Sequence, residues 1–144
     1  MTIPAAIQEL VIRYFGEAAT PSYARTPELL DRDPYRPVRV ELARSWTVSD
    51  LTSADLDLGF VWALEGHPDL PTVRLSLVGP YALVTNPKGE VIRPPDIVEI
   101  LEREGFVLLD RELLERPFTF WEPEYEAPLY EFIFEFDEGF PWAR

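Results

Sequence analysis

The sequence predicts an α+β fold in one domain, and three observations support this. Apolar residues near the N-terminus recur at helical spacing, whereas most of those after residue 38 alternate with polar residues, as in strands. A second helical pattern interrupts the strands at residues 95–104. The length of 144 residues with 47% apolar content suits one domain, and no linker divides it. We therefore expect a single domain, 1–144, with a mainly antiparallel sheet of about five or six strands.

The first helix is predicted from an apolar stripe that ends near Gly16. Its members are Ile3, Ile7, Leu10, Val11 and Tyr14. Prolines punctuate the stretch 20–37, where Thr26-Pro27-Glu28 favours one short helical turn.

Apolar runs predict strands at 38–43, 58–64, 72–78 and 81–85. In the third of these, Arg74 and Ser76 are expected to point outward, away from the core. Asn86-Pro87-Lys88-Gly89 has the chemistry of a type I turn and should close a hairpin onto residues 90–92.

The inserted helix near 95–104 begins with Pro94-Pro95-Asp96 and ends before Gly105. Its buried stripe should contain Ile97, Ile100 and Leu101. Asp110 is the expected N-cap of a further short helix, and Pro117 should end it.

The segment from Phe118 to Trp142 holds ten of the nineteen aromatic residues, seven acids and no Lys or Arg. Its centre, Leu129 to Asp137, alternates strictly, which predicts a C-terminal strand that joins the sheet. One face of that strand would be a buried aromatic row of Tyr130, Phe132, Phe134 and Phe136. The other face would carry carboxylates and remain available to a partner.

A contact surface for a protein partner is predicted from these exposed acids and the preceding loop, because interfaces combine aromatic anchors with complementary charge. The predicted contact residues are Trp121, Glu122, Glu124, Tyr125, Glu126, Glu131, Ile133, Glu135 and Asp137.

The charge balance indicates what kind of partner this surface would bind. The chain has a net charge of −13, and residues 90–138 carry fifteen acids against four arginines. Such a field repels nucleic-acid phosphates and anionic lipids and speeds encounter with basic proteins. We expect a basic protein partner, with no direct nucleic acid and no membrane. Solubility alone is the other explanation of the charge.

Few residues offer catalytic chemistry. There is no cysteine, and the one histidine, His67, should be exposed or merely cap its loop. No phosphate-binding loop is present, and the pairs Asp31/Asp33 and Asp55/Asp57 do not continue into a calcium loop. On a strand, Glu131 and Glu135 would be roughly 13 Å apart, too far for a catalytic pair. We expect no cofactor, no metal site and no catalysis. The lack of cysteine and of a long apolar run favours a cytoplasmic protein.

Three features are typical of one group of proteins: the α+β pattern, the acidic helix 96–104 and the ending LYEFIFEFDEGFPW. In these features the chain resembles the small acidic immunity proteins that bacteria encode beside polymorphic or contact-delivered toxins. This resemblance implies a non-enzymatic inhibitor that neutralises one basic partner. Two alternatives remain open: a nucleic-acid mimic that inhibits a DNA-binding enzyme, and a small carboxylate-based enzyme or ligand-binding domain.

Overall fold

A five-stranded sheet lies at the centre of the computed structural model, which describes residues 3–16, 25–120, 125–136 and 139–144. Its helices are α1 (Ala5–Phe15), α2 (Thr26–Asp31), α3 (Arg36–Ala43), α4 (Pro95–Arg103), α5 (Arg111–Leu114) and α6 (Leu129–Ile133). Its strands are β1 (Thr47–Asp50), β2 (Gly59–Glu65), β3 (Thr72–Ser76), β4 (Tyr81–Thr85), β5 (Val107–Leu108), β6 (Pro117–Phe120) and β7 (Tyr125–Pro128). A 3-10 turn covers Pro141–Ala143.

The strand order of the sheet is β1-β2-β3-β4-β5. Neighbouring strands are antiparallel from β1 to β4, and β5 runs parallel to β4. β6 and β7 form a separate antiparallel hairpin. This arrangement confirms the α+β class and the strands predicted near 58–64, 72–78 and 81–85. After the 86–89 turn, the chain folds back as expected, with a single bridge from Val91 to Thr85.

Two apolar cores cover the two faces of the sheet. Along β4, Tyr81 and Leu83 join one core, whereas Ala82 and Val84 join the other, because successive strand residues point to opposite faces. The first, the aromatic core, brings together α1, α5, the β6–β7 hairpin and α6. The second, the α3–α4 core, packs α3 and α4 against the opposite face.

Because an apolar core covers each face of the sheet, one prediction about β3 is wrong. Arg74 and Ser76 point away from the α3–α4 core, but they do not reach solvent as expected, since both are buried. The Ser76 hydroxyl donates to the carbonyl of Ile133 at 2.6 Å. The second face of β3 therefore carries buried polar groups rather than an exposed polar surface.

The two longest helices follow the predicted patterns. α1 buries Ile7 and Val11 and ends at Gly16, which adopts a φ of 82°. α4 buries Ile97 and Leu101 completely and is followed by Gly105 at a φ of 91°. Positive φ values of this kind favour glycine just after a helix.

The strand predicted at 38–43 is wrong, because these residues belong to α3. Pro37 lies in the first turn of the helix, where its missing N–H costs no hydrogen bond. Val38 and Leu42, four residues apart, are buried on one helical face, while Val40 between them is 49% exposed. A strand with both residues inward would have buried Val40 as well.

The C-terminal strand predicted at 129–137 is also wrong. Residues Leu129–Ile133 form α6, which begins directly after Pro128. Both of its predicted faces are buried: Tyr130 and Phe132 from one, Leu129 and Ile133 from the other. Phe132 lies among the rings of four aromatic residues, namely Phe15, Phe118, Phe120 and Tyr125. Tyr130, Phe132 and Phe134 are core as expected, but they lie on α6 and its cap and not on a strand, and Phe136 is only half-buried.

Candidate functional site

A cluster of polar side chains, all buried except Arg144, joins the C-terminal segment that follows β7 to the sheet. We call it the polar cluster; its members are Asp57, Arg74, Tyr130, Glu135 and Arg144. Asp57 and Glu135 face each other across an isolated antiparallel bridge, and each is less than 9% exposed. Glu135 Oε1 accepts a hydrogen bond from the Tyr130 hydroxyl at 2.8 Å and another from the Arg144 guanidinium.

Backbone hydrogen bonds on either side of this bridge hold the two segments together. The N–H of Leu58 donates to the carbonyl of Phe134, and the N–H of Phe136 donates to the carbonyl of Leu56, both at 2.8 Å. α6 ends at Ile133, so the chain beyond it is free to extend along residues 56–58. The end of one helix thus determines where Glu135 meets Asp57.

Burial dominates the electrostatics of Asp57. Desolvation raises the pKa of its carboxyl to about 6, although the N–H of Ser53 donates to it at 2.7 Å. The neighbouring Glu135 carboxylate raises this pKa further, and the charges of Arg74 and Arg144 lower it. Burial also raises the pKa of Tyr130, which keeps its proton and donates to Glu135.

A carboxyl with a raised pKa suits acid–base chemistry, but the surroundings of Asp57 leave no space for a substrate. The cavity beside Asp57 measures about 20 Å³ among the described residues, enough for about one water molecule. The Glu135 carboxylate is bound by Tyr130 and Arg144, and the charges of Arg74 and Arg144 act on Asp57 electrostatically. The polar cluster is therefore suited to fastening the C-terminal segment to the sheet.

His67 has both ring nitrogens committed to hydrogen bonds. The backbone N–H of Asp69 donates to Nδ1 at 3.0 Å, so the proton of the neutral ring lies on Nε2. Nε2 is 3.1 Å from Asp96 Oδ2, at the start of α4. The ring is 4% exposed and lies against Trp46 at 5.0 Å between ring centroids. His67 thus caps its loop as expected, but it is buried, and no nitrogen is left to act as a general base.

Asp96 links this loop to α4. Desolvation by itself would raise the pKa of the Asp96 carboxyl. The hydrogen bonds from His67 and from the Ile97 N–H outweigh it, and the pKa is lowered. The carboxylate is 53% exposed, so it presents its charge to solvent while holding His67.

Those predicted contact residues that the structure describes do not form one surface. Glu135 and Ile133 are buried, so the exposed strand face predicted for them does not exist. Glu131 lies half-buried on α6, and Tyr125 is half-buried against Phe132. Glu126 is exposed on β7 and accepts a hydrogen bond from Thr119. The other predicted contact residues lie outside the described residues: Trp121, Glu122, Glu124 and Asp137.

The solvent face of α4 and the residue after it form an acidic surface that was not predicted as a contact site. This α4 acidic face comprises Asp96, Glu99, Glu102 and Glu104, all exposed. The one base among them, Arg103, donates to Glu41 of α3 at 3.1 Å. The acids recur at helical spacing on the side opposite the buried Ile97 and Leu101. This pattern was the sequence signal that could have identified the surface.

Two arginines of the neighbouring α3 and its C-cap, Arg39 and Arg44, are also paired within the chain. Arg39 makes two hydrogen bonds to the carboxylate of Asp33, at 2.8 and 2.6 Å. Arg44 lies 3.3 Å from Glu41. The negative charges of the α4 acidic face are therefore not offset by these three arginines of the α3–α4 layer.

Within the described ranges, no three acidic or histidine side chains come together as metal ligands would. None of the helices described is both long and apolar enough to cross a membrane.

Comparison with protein-family models, with curated proteins and with solved structures finds no match for this chain in any of the three.

Proposed function

We propose that the chain is a cytoplasmic, non-enzymatic binding protein that neutralises a basic protein partner, such as a bacterial toxin. The α4 acidic face is the observation that carries this proposal. Its four carboxylates are exposed, and the only arginine among them is bound to Glu41. A surface with charge of one sign attracts a partner of the opposite sign and accelerates its encounter.

The support of α4 suits a binding surface. Ile97 and Leu101 anchor the helix in the α3–α4 core, and Asp96 is held by His67. The acids are therefore presented on a rigid element, which lowers the conformational entropy lost when a partner binds. Glu126 and Glu131 remain candidates for a second contact, on the side of the sheet that carries the aromatic core.

The proposal is tested first by identifying a partner. Capture from the native lysate at low salt, followed by release at high salt, should yield a basic protein, because screening weakens contacts between exposed charges. The association rate constant of the purified pair should fall steeply as salt rises.

Charge reversal then locates the contact surface. Glu99→Lys on α4 should slow association about two- to five-fold at low salt, as expected for a charge at an interface rim. Glu9→Lys is the matched control, since Glu9 is an exposed helical acid on α1, which packs on the opposite face of the sheet. Equal slowing by both variants would reject α4 as the contact surface. Salt-independent association would reject the basic partner, and displacement of the protein by DNA would instead favour a nucleic-acid mimic.

A further inference from the structure

One cleft in this acidic protein is lined by cations. It lies between the 86–89 turn and the C-terminal 3-10 turn and has a volume of about 260 Å³. Arg74, Lys88 and Arg144 line it, together with the hydroxyl-bearing Thr72 and Thr85. Lys88 is the only lysine of the chain. None of the 26 acids is among the described residues that line the cleft.

Arg74 is the buried member of this group. Its side chain is 8% exposed, and its guanidinium makes one hydrogen bond within the described structure, from Nη1 to Thr85 Oγ1 at 3.3 Å. Its Nε is buried and has no hydrogen-bond partner among the described residues. A guanidinium has five N–H donors, and a buried charge with unused donors costs free energy. Asp57 interacts with Arg74 electrostatically. Among the described residues, however, the two side chains do not form an ion pair within 4.0 Å.

The cleft has the composition of an oxyanion site. Arginine binds carboxylate and phosphate groups through parallel hydrogen bonds, and lysine adds a mobile positive charge. A hydroxyl donor such as Thr85 completes the usual set of ligands. The volume is below the range of drug-sized pockets, so only a small molecule would fit.

We propose that this cleft binds a small oxyanion, namely the phosphate or carboxylate group of a small metabolite. Arg74 forms its floor, and Lys88 and Arg144 flank it from the two turns. Bound anion joins the 86–89 turn to the C-terminal segment, so the site is independent of the α4 acidic face and of the proposed protein partner.

Calorimetric titration of the whole chain at constant ionic strength tests the proposal, with sodium phosphate in one arm and sodium acetate in the other. We expect saturable binding with a dissociation constant on the order of millimolar or tighter. Tighter binding of phosphate assigns the site to phosphate groups, and tighter binding of acetate assigns it to carboxylates. Saturable binding of neither anion overturns the proposal.

Lys88→Gln should weaken binding about three- to ten-fold, since it removes one charge from an exposed turn and leaves the fold intact. Arg32→Gln is the matched control: Arg32 is an exposed arginine on the cap of α2 and does not line the cleft. Arg74→Gln should weaken binding more than ten-fold, with its fold checked by circular dichroism. Equal weakening by Lys88→Gln and Arg32→Gln would show non-specific charge attraction and overturn the proposal.

Discussion

Replacing Asp57 with Asn tests the polar cluster, because the substitution removes a buried negative charge while keeping the shape of the side chain. Burial raises the pKa of Asp57 from 3.8 to about 6. The folded protein therefore holds this proton more tightly than the unfolded chain does. The group contributes most to stability below the unfolded pKa, and its contribution is lost as pH rises from 3.8 to about 6. The full loss corresponds to about 3 kcal/mol of unfolding free energy.

Asn cannot ionise, so the variant escapes this loss. Its unfolding free energy should rise relative to wild type by about 1–2 kcal/mol between about pH 5 and about pH 8. This range stays above the isoelectric point near 4.4, where solubility is lowest. The Asn side chain still accepts the hydrogen bond from Ser53. Urea denaturation of both proteins at the two pH values, followed by tryptophan fluorescence, measures the change.

Asp55→Asn supplies the control, because Asp55 is exposed and lies two residues before Asp57. Because Asp55 is exposed, its replacement removes no buried charge, and its effect on the unfolding free energy should be smaller than that of Asp57→Asn. The reasoning fails if the Asp57→Asn difference does not grow with pH, or if Asp55→Asn grows equally.

Three further substitutions probe the packing of the C-terminal segment. Phe132→Ala should lower the unfolding free energy by about 3–5 kcal/mol in urea, because the ring is fully buried; a loss below about 1 kcal/mol would contradict the packing described for α6. Gly89→Ala would place a Cβ 2.0 Å from a carbonyl oxygen of the 3-10 turn, and should lower the melting temperature more than Gly66→Ala, which shares the positive φ but meets open space. Equal decreases in melting temperature for the two variants would show that the positive φ alone, and not the contact with the 3-10 turn, determines the destabilisation. Tyr130→Phe removes the donor to the buried carboxylate of the polar cluster and should cost about 1–3 kcal/mol by chemical denaturation. Tyr81→Phe, a buried tyrosine with no hydroxyl hydrogen bond among the described residues, should cost less; the opposite order would reject the role of that bond.

Helix ends and long periodic runs made much of the fold predictable from sequence. α1 and α4 have continuous apolar stripes and a glycine after the last turn, both of which are local signals. β2, β3 and β4 follow apolar runs of strand length. By contrast, β1, β5 and the β6–β7 hairpin were not predicted, because these strands are only two to four residues long.

The two misassigned segments have different physical causes. In 38–43, a strand pattern at i, i+2 and i+4 shares its outer positions with a helical pattern at i and i+4, and only the exposed middle residue, Val40, shows that the segment is a helix. In 129–133, residues of both predicted strand faces are buried, Phe132 included, so alternation did not indicate which residues face solvent. In both segments a proline at the start, Pro37 or Pro128, was the local signal for a helix.

The polar cluster could not have been predicted from sequence, since its members come from β3, the loop before β2 and the C-terminal segment. Alternation placed Arg74 and Glu135 on exposed faces, and it contains no information about which faces are later covered. A second layer over the sheet buries Arg74, and the end of α6 turns Glu135 inward. Both changes depend on contacts between residues distant in sequence.

The division into two cores has a consequence for the order in which the chain folds. The buried residues of the α3–α4 core all lie between 38 and 106, so their contacts can form while the remainder is being synthesised. The aromatic core needs Phe15 of α1 to meet Phe120 and Phe132, more than a hundred residues later. Until then, the aromatic core lacks its C-terminal members, and α1 is the only long helix of that core available to cover Tyr81 and Leu83. We therefore expect docking of the C-terminal segment to be the last step of folding, and aggregation of the growing chain to be most frequent just before it.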